Sequence, residues 1–291
     1  MSREHRIPVD GRVLCVLEEG GEHGQAVFAL HGTPGSRLLW RGLVEDAEQR
    51  GLRLLAYDRP GYGGSDPHPG RTVADAAADV AAIADALGIE RFAVEGGSGG
   101  GPHALACSAL LPERCVAAAA LASVAPYPAE GLDWLAGMGQ DNLDEFGATL
   151  EGREPLERYL RGQADELLAA EPEALADALR SLLSPPDAAI LTGEVAEYLY
   201  AATHEAVGER LDGWIDDDFV FVRPWGFELD DIAVPVQLWH GAQDRFVPIA
   251  HGEWLAERIP AVDAQLHDGD GHLTIQLERI GDVHGWLAGH F

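Results

Sequence analysis

The chain has 291 residues, 46% of them hydrophobic, so it is long enough to bury a large core in one or two domains. Its 49 acidic residues face 20 basic ones, all arginine, and the resulting net charge of −29 repels nucleic-acid phosphates and anionic lipids. We therefore expect neither nucleic acid nor a membrane among its partners, and the sequence contains no stretch long and apolar enough to span a bilayer.

The N-terminus and the cysteines bear on the cellular compartment. The segment "MSREHRIPVD" has no apolar stretch behind its charges, as a secretion signal would have. Cys15, Cys107 and Cys115 are odd in number and lie in apolar contexts, which favours buried thiols in a reducing compartment. We expect a cytoplasmic protein. The acidic excess fits adaptation to high salt or, more simply, a GC-rich coding sequence.

The first half of the chain alternates strand patterns with helix patterns. One helix is expected from Thr72, a candidate N-cap with Asp75 three residues on, to Gly88, which ends it. Short apolar strands separated by amphipathic helices predict a parallel sheet covered on both faces. The predicted strands are "GRVLCVLEEG" (11–20), "QAVFALHG" (25–32), "LRLLAYDRPG" (52–61), "RFAVEGG" (91–97) and "CVAAAALASV" (115–124).

After residue 125 the strand pattern stops and helical periodicity takes over. Two amphipathic helices are expected there, one containing Leu156, Leu160 and Leu167, and another running from Leu175 to Leu183. Strands resume with "VPVQLWHG" (234–241) and "AQLHDGDGH" (264–272). The predicted architecture is an α/β core formed by residues 1–125 and 223–291, with residues 126–222 inserted as a helical lid.

A serine set among glycines follows the fourth predicted strand. Gly96, Ser98 and Gly100 form Gly-x-Ser-x-Gly between a strand and an alanine-rich helix, typical of the turn that presents a nucleophilic serine. The helix N-terminus that follows favours negative charge developing at the serine. A nucleotide-phosphate turn is disfavoured, because the segment has neither the Gly-x-Gly-x-x-Gly pattern with its ribose-binding acid nor a P-loop lysine.

A serine hydroxyl needs a base, and the base needs an acid to orient it. For a serine on such a turn the expected chain order is Ser, acid, His, each after a strand. Asp244 follows "VQLWHG" and His272 follows the last predicted strand, so Ser98, Asp244 and His272 are the predicted triad. Asp268 and Asp270 are too near His272 in sequence to reach its far ring nitrogen.

Other residues compete for these roles. His31 and His240 each begin a His-Gly pair at a strand end, and we interpret them as structural histidines bonded to nearby loop backbone. His103, about one helical turn past the serine, is interpreted as a packing residue. The alternative candidate for the acid is Glu130, the first carboxylate after the predicted strand at 115–124.

In these residues and in two further motifs, the sequence resembles the α/β-hydrolase superfamily, particularly its lid-bearing esterases and proline-iminopeptidase-like members. "HGTPGS" (31–36) resembles the family's HGxPG loop, and "DRPGYGGSD" (58–66) its D-x-[RP]-G-x-G-x-S turn. The resemblance covers roughly residues 10–125 and 230–291. It implies an α/β-hydrolase fold and an oxyanion hole built from the backbone N–H groups of Thr33 and Gly99.

Large apolar side chains in and after the insertion are candidates for the roof of a substrate pocket. Trp134, Met138 and Trp225 are the first choices for lining it. We expect a serine hydrolase cleaving a small, largely apolar carboxylic ester through an acyl-enzyme. It would act on a small molecule as a monomer or homodimer.

Two other functions remain open from the sequence. A proline-iminopeptidase-like aminopeptidase or amidase would need lid carboxylates for a free amine, and Glu194, Glu197 and Glu205 are candidates. A small-molecule receptor on the same fold is the second alternative.

No metal or cofactor is expected. "DGDGH" (268–272) does not continue as a calcium loop, because His272 falls where the next oxygen ligand belongs and no helix precedes it. The acidic run Asp216, Asp217 and Asp218 is interpreted as a solvated loop. The cysteines and histidines do not have zinc spacing.

Overall fold

The computed structural model describes residues 2–21 and 23–291, and within them the strands form one eight-stranded sheet. Its order is β1-β2-β4-β3-β5-β6-β7-β8; β2 runs antiparallel to both its neighbours and every other adjacent pair is parallel. The predicted, mostly parallel sheet is confirmed. The strands are β1 (Arg3–Val9), β2 (Arg12–Gly20), β3 (Gln25–Leu30), β4 (Leu52–Tyr57), β5 (Phe92–Gly97), β6 (Cys115–Leu121), β7 (Val236–Gly241) and β8 (Asp263–His267).

The strand β1 was not predicted from the sequence. Its segment "REHRIPV" is mostly polar, and only Ile7 and Val9 are buried. It pairs with β2 across a tight turn in which Asp10 and Gly11 have φ angles of 49° and 82°. An Asp-Gly pair in this left-handed conformation is characteristic of the turn of a two-residue β-hairpin. The Asp-Gly dipeptide could therefore have indicated this hairpin from the sequence.

Helices cover both faces of the sheet and fill the region between β6 and β7. The helices are α1 (Arg41–Gln49), α2 (Asp75–Ala86), α3 (Gly100–Leu110), α4 (Gln140–Glu151), α5 (Arg153–Ala169), α6 (Leu175–Ala178), α7 (Pro185–Ile190), α8 (Gly193–Val207), α9 (Asp212–Phe221), α10 (Ile249–Ala256), α11 (His272–Leu277) and α12 (Ile280–Ala288). None of the helices in the described residues is long and apolar enough to cross a membrane.

The helix predicted between Thr72 and Gly88 is present as α2, beginning three residues later than expected. The backbone N–H and the hydroxyl of Thr72 both donate to Asp75 Oδ2, at 2.6 and 2.9 Å, so this pair closes the turn before the helix. Gly88 follows the helix with φ +67°, as a glycine that ends a helix commonly does.

Alternate residues of the central strands pack on opposite faces of the sheet. Phe28 and Leu55 belong to the core beneath α2, α3 and α10, whereas Val27 and Leu54 belong to the core beneath α1 and α12. This two-residue period is that of an extended strand, and it explains why these strands appear as continuous apolar runs in the sequence.

The helices α4 to α9, here called the helical insertion, lie between β6 and β7 and inside the interval 126–222 predicted as a lid. The division of the chain at residues 125 and 222 stays a prediction. The predicted helix containing Leu156, Leu160 and Leu167 is α5, and these leucines pack in a hydrophobic cluster that joins the insertion to Tyr62 and Leu273.

The second predicted helix of the insertion is wrong in length. Helix α6 ends at Ala178, and the chain continues in turns to Ser184, which has an extended ψ of 164°. Pro185 follows directly, and the extended geometry of Ser184 is the one that a residue before proline prefers.

Candidate active site

Ser98 lies between the end of β5 and the start of α3, in the turn predicted to present a nucleophile. Its φ angle is 52°, a left-handed conformation that costs energy for a residue with a side chain. The turn is held by two hydrogen bonds, from Ser98 N–H to the Leu121 carbonyl at 2.8 Å and from Gly101 N–H to the Ser98 carbonyl at 2.9 Å.

The flanking glycines allow backbone segments to approach one another at this turn. A side-chain carbon on Gly96 would overlap the carbonyl oxygen of Gly100, and one on Gly100 would overlap the carbonyl oxygen of Leu30. The Gly-x-Ser-x-Gly spacing is therefore a steric requirement of this turn.

Asp244 and His272 meet at the same edge of the sheet, after β7 and β8. His272 Nδ1 lies 2.7 Å from Asp244 Oδ2, while Asp244 Oδ1 accepts the backbone N–H groups of Phe246 and Val247 at 2.8 and 2.9 Å. The Phe246 ring stacks on the imidazole with centroids 4.4 Å apart. With Nδ1 donating to the carboxylate, Nε2 is left to accept a proton.

Ser98 and His272 line one cavity of about 180 Å3, and Ser98 also lines a neighbouring cavity of about 100 Å3. Thr33, from the loop after β3, reaches both cavities, and Gly99 lines the smaller one. A side-chain carbon on Gly99 would overlap the Thr33 hydroxyl, so the two loops predicted to form the oxyanion hole are in contact.

A buried ionic network fixes the Thr33 loop to the helical insertion. Asp217, on α9, accepts the Thr33 hydroxyl at 2.6 Å, one guanidinium N–H each from Arg59 and Arg71 at 2.6 Å, and the Tyr62 hydroxyl at 2.9 Å. Burial alone would raise the pKa of Asp217, but the charges of Arg59 and Arg71 hold the pKa well below its usual value.

The acidic run was therefore interpreted wrongly from the sequence. Asp216, Asp217 and Asp218 lie on helix α9 and are buried, with Asp217 fully inaccessible. Apolar residues flank the run on both sides in "GWIDDDFVF" (213–221), and this was the signal that it lies inside the protein.

The three competing histidines have structural partners. His31 Nδ1 donates to the Gly32 carbonyl at 2.7 Å and its Nε2 accepts Arg59 N–H at 3.1 Å, while burial and the charge of Arg59 keep its pKa well below normal. His240 Nε2 donates to the Val247 carbonyl at 2.7 Å. His103 Nδ1 donates to the Gly99 carbonyl at 2.7 Å, and burial lowers the pKa of His103 to about 3.

The residues predicted to line the pocket lie in the core instead. Trp134, Met138 and Trp225 are buried, at 4%, 6% and 4% exposure, in the large core on one face of the sheet. Trp134 donates to the Ala125 carbonyl at 2.8 Å and packs edge-on against Phe146. This packing accounts for their apolar character. In the described part of the chain, Trp134, Met138 and Trp225 do not line either cavity at Ser98.

The insertion contributes other side chains to the smaller cavity. Most of the apolar side chains that line this cavity belong to α4, α5, α9, the turns after α6 and the loop that contains Phe246. Three carboxylate side chains line the same cavity. These wall residues are Phe146, Leu167, Leu179, Leu182, Trp214, Phe221, Phe246 and Val247, with Asp141, Glu145 and Asp218. No group of three or more acidic, histidine or cysteine side chains in the described part of the chain has an arrangement suited to a metal ion.

Glu145 and Asp218 are coupled inside this wall. Burial raises the pKa of Glu145 to about 7, and burial together with the charge of Glu145 raises the pKa of Asp218 well above normal. Trp214 Nε1 donates to Glu145 Oε1 at 2.7 Å. Both oxygens of Asp218 are buried, and apart from a hydrogen bond shared with the Glu145 carboxyl group they have no hydrogen-bond partner within residues 2–21 and 23–291.

The carboxylates predicted to bind an amine lie elsewhere. Glu205 pairs with Arg37, which also bonds Asp58 at 2.7 Å. Glu194 and Glu197 are exposed and line a different depression near the N-terminal strand. Asp141, Glu145 and Asp218 could not be assigned to one cavity from the sequence, because their approach depends on how α4 packs against α9.

Comparison with known proteins shows which family the chain is similar to. Residues 25–278 match the family model described as alpha/beta hydrolase fold. A proline iminopeptidase from Xylella fastidiosa is 27% identical over 94% of each chain, and a pimeloyl-[acyl-carrier protein] methyl ester esterase from Nitrosomonas europaea is 28% identical over 86% of this chain and 89% of the relative. The solved structure of an esterase from Rhodococcus sp. ECU1013 has a TM-score of 0.68 at 22% identity, covering 100% of this chain and 99% of its own, and so shares the fold.

The match to the family model covers residues 25–278, which is most of the chain. The chain therefore belongs to the α/β-hydrolase family.

Proposed function

We propose that the chain is a serine hydrolase that cleaves a small, largely apolar carboxylic ester through an acyl-enzyme on Ser98. The observation that carries the proposal is the 2.7 Å bond between His272 and Asp244, with His272 and the strained Ser98 lining one cavity. A hydroxyl, an imidazole and a carboxylate in this order are the components of nucleophilic acyl transfer.

In the proposed reaction His272 Nε2 takes the proton of Ser98 Oγ as the oxygen attacks the ester carbonyl carbon. The backbone N–H groups of Thr33 and Gly99 stabilise the oxyanion, and Asp244 stabilises the imidazolium. His272 then gives its proton to the departing alcohol. A water attacks the acyl-serine, with His272 again taking the proton, and the carboxylic acid leaves as Ser98 recovers its hydroxyl.

A fluorophosphonate probe tests the assignment directly, because it phosphonylates serines activated in this way. We expect a single label at Ser98, and a folded but unlabelled Ser98→Ala variant that is inactive on p-nitrophenyl acyl esters. Labelling at another serine would contradict the assignment. Tight ligand binding by a wild-type chain that never turns over would favour the receptor alternative.

A second candidate, an aminopeptidase-like activity, is supported by the carboxylates of the smaller cavity. An ammonium group on the acyl part of a substrate would give the two Asp218 oxygens a donor that they lack in the described part of the chain, and Glu145 and Asp141 add further acidic groups to the same cavity. Similarity to proteins named proline iminopeptidase supports the same candidate.

Comparing p-nitrophenyl butyrate with prolyl and alanyl p-nitroanilides separates the two candidates. If the amine is recognised, Glu145→Gln and Asp218→Asn should each raise KM for the anilides by about tenfold, the size of one hydrogen bond to a charged group, and leave KM for the neutral ester within about twofold. Equal effects on both substrate classes would remove the amine candidate.

A further inference from the structure

A buried carboxylate of the helical insertion binds the backbone at the predicted catalytic histidine. Asp187, on α7, is fully inaccessible. Its Oδ2 accepts the N–H of His272 at 2.8 Å and the Ser184 hydroxyl at 2.7 Å. Its Oδ1 accepts the N–H groups of Leu273 and Thr274 at 2.8 and 3.0 Å, and the Thr274 hydroxyl at 3.2 Å.

These bonds provide an N-terminal cap that α11 lacks in its own sequence. The first N–H groups of a helix have no partner within the helix, and the residue before it usually supplies a side-chain acceptor. Here that residue is Gly271, and Asp187, 85 residues away, takes the place of the cap. A side-chain carbon on Gly271 would overlap both Asp187 and the Ser184 hydroxyl, so the glycine is needed for this approach.

The capped helix begins at His272 itself, so the bond to Asp187 acts on the base directly. The side-chain ring is already fixed on one side by Asp244 and on its face by Phe246. With the backbone nitrogen fixed as well, the direction of Nε2 is determined, and a displacement of about 1 Å at such a group can cost about a hundredfold in rate.

From this geometry we infer that Asp187 is a positioning residue for His272, and that the helical insertion thereby takes part in catalysis as well as covering the cavity. The inference rests on the proposed function, because it requires His272 to act as the base at Ser98. A purely structural cap would affect stability and leave the chemistry of the folded protein unchanged.

The variant Asp187→Asn distinguishes these roles. Asparagine keeps the shape but has one acceptor oxygen, so the donors on one side of the group lose their partner. We expect kcat on p-nitrophenyl butyrate to fall by about tenfold to a hundredfold with KM within about twofold. The rate of phosphonylation by a fluorophosphonate at saturation should fall in parallel, since that reaction also needs the base.

Combining the variant with His272→Ala separates positioning from a general disturbance. If Asp187 acts through His272, Asp187→Asn should change the residual rate of the His272→Ala chain by less than about twofold. A tenfold loss that persists without the imidazole overturns the inference.

Two further variants keep the test decisive. Ser184→Ala removes one of the five bonds and leaves the three backbone bonds, so it folds more readily, and we expect kcat to fall by about threefold. Asp177→Asn changes an exposed carboxylate of the same insertion and should match wild type. If the wild-type chain is labelled at Ser98 and Asp187→Asn has the same kcat, this inference is wrong and the proposed function stands. If the wild-type chain does not react with the probe, the proposed function is wrong and this inference fails with it.

Discussion

The two oxygens of Asp244 have different partners. Oδ2 hydrogen-bonds His272 Nδ1, and Oδ1 accepts two backbone N–H groups. The orientation of the carboxylate therefore does not depend on the imidazole alone. Asp244→Asn keeps this shape but removes the charge and can leave the imidazole in the wrong tautomer. We expect kcat to fall by about 10³–10⁴ with KM nearly unchanged, measured by steady-state kinetics on p-nitrophenyl esters.

Glu130 provides the control for that experiment. It is the first carboxylate after β6, it is exposed, and its backbone carbonyl accepts a hydrogen bond from Trp254 Nε1 at 3.0 Å. Glu130→Gln should therefore behave as wild type. If instead Glu130→Gln were the slow variant and Asp244→Asn the fast one, the acid would be at the start of the insertion.

The coupled acids Glu145 and Asp218 make stability depend on pH. Their pKa values, ordinarily 4.5 and 3.8, are both raised in the folded chain, Glu145 to about 7. The folded state thus binds protons more tightly than the unfolded state. The resulting stability is complete below the ordinary pKa values and is lost as pH rises toward and past 7, by about 1.4 kcal/mol per pH unit for each proton.

Urea unfolding between pH 5 and pH 8 tests this with the double variant Glu145→Gln/Asp218→Asn. The new glutamine side chain keeps a carbonyl oxygen that can still accept the hydrogen bond from Trp214. The free energy of unfolding of wild type should fall relative to that of the double variant as pH rises. Parallel pH profiles would show that the pair carries no shifted proton.

The predicted triad residues could be chosen from the sequence because each follows a strand and the chain order is specific. Ser98, Asp244 and His272 could be placed at one sheet edge without knowing any packing. Asp187 and the acids of the cavity could not, since each meets its partner only when helices distant in sequence are assembled.

At the scale of elements, the strand-to-helix turn depends on glycines whose substitution has a predictable sign. Gly96→Ala would push the β5 backbone away from Gly100, and we expect a loss of about 1–3 kcal/mol in the free energy of unfolding, as for overpacked sites. Chemical denaturation of the purified variant measures it.

Gly162 is the matched glycine for this test, because it lies within α5 with open space around the position of a side-chain carbon. Gly162→Ala should stabilise the chain by roughly 0.5–1 kcal/mol, the usual advantage of alanine in a helix. If Gly96→Ala also stabilised the chain, the turn would tolerate a methyl group and the predicted steric overlap would be wrong.

Strands and helices were predicted where the hydrophobic pattern is long and regular. They were missed where the conformation of a segment depends on the element that it pairs with. The buried central strands are continuous apolar runs and were found, whereas β1 is half polar and is a strand because β2 offers it a partner. Trp134 and Met138 were assigned to the pocket from apolarity alone, which cannot distinguish a cavity wall from a core.

At the scale of the whole molecule, the net charge of −29 makes self-repulsion the main long-range electrostatic effect. Exposed ion pairs such as Arg41–Glu45 and Arg158–Glu154 each contribute little to the free energy of unfolding. Salt therefore removes more repulsion between acidic side chains than attraction within these pairs. Raising NaCl from about 0.02 to 0.5 M should add about 1 kcal/mol of stability, or roughly 1–2 °C in Tm for a chain of this length.

Thermal unfolding in chloride and in sulfate at equal ionic strength separates screening from specific anion effects. Screening predicts the same gain in both salts. A fall in Tm with added NaCl would mean that ion pairs outweigh the repulsion.

The helical insertion is attached to the core at two buried carboxylates, Asp217 on the arginines after β4 and Asp187 on the start of α11. Swinging it aside as a hinged cover would leave both acids without partners at once, and breaking one buried ion pair already costs about 3–5 kcal/mol. We therefore expect substrates to enter through an opening of constant width. Such an opening acts as a sieve, which selects molecules by their cross-section before any of their functional groups reaches the serine.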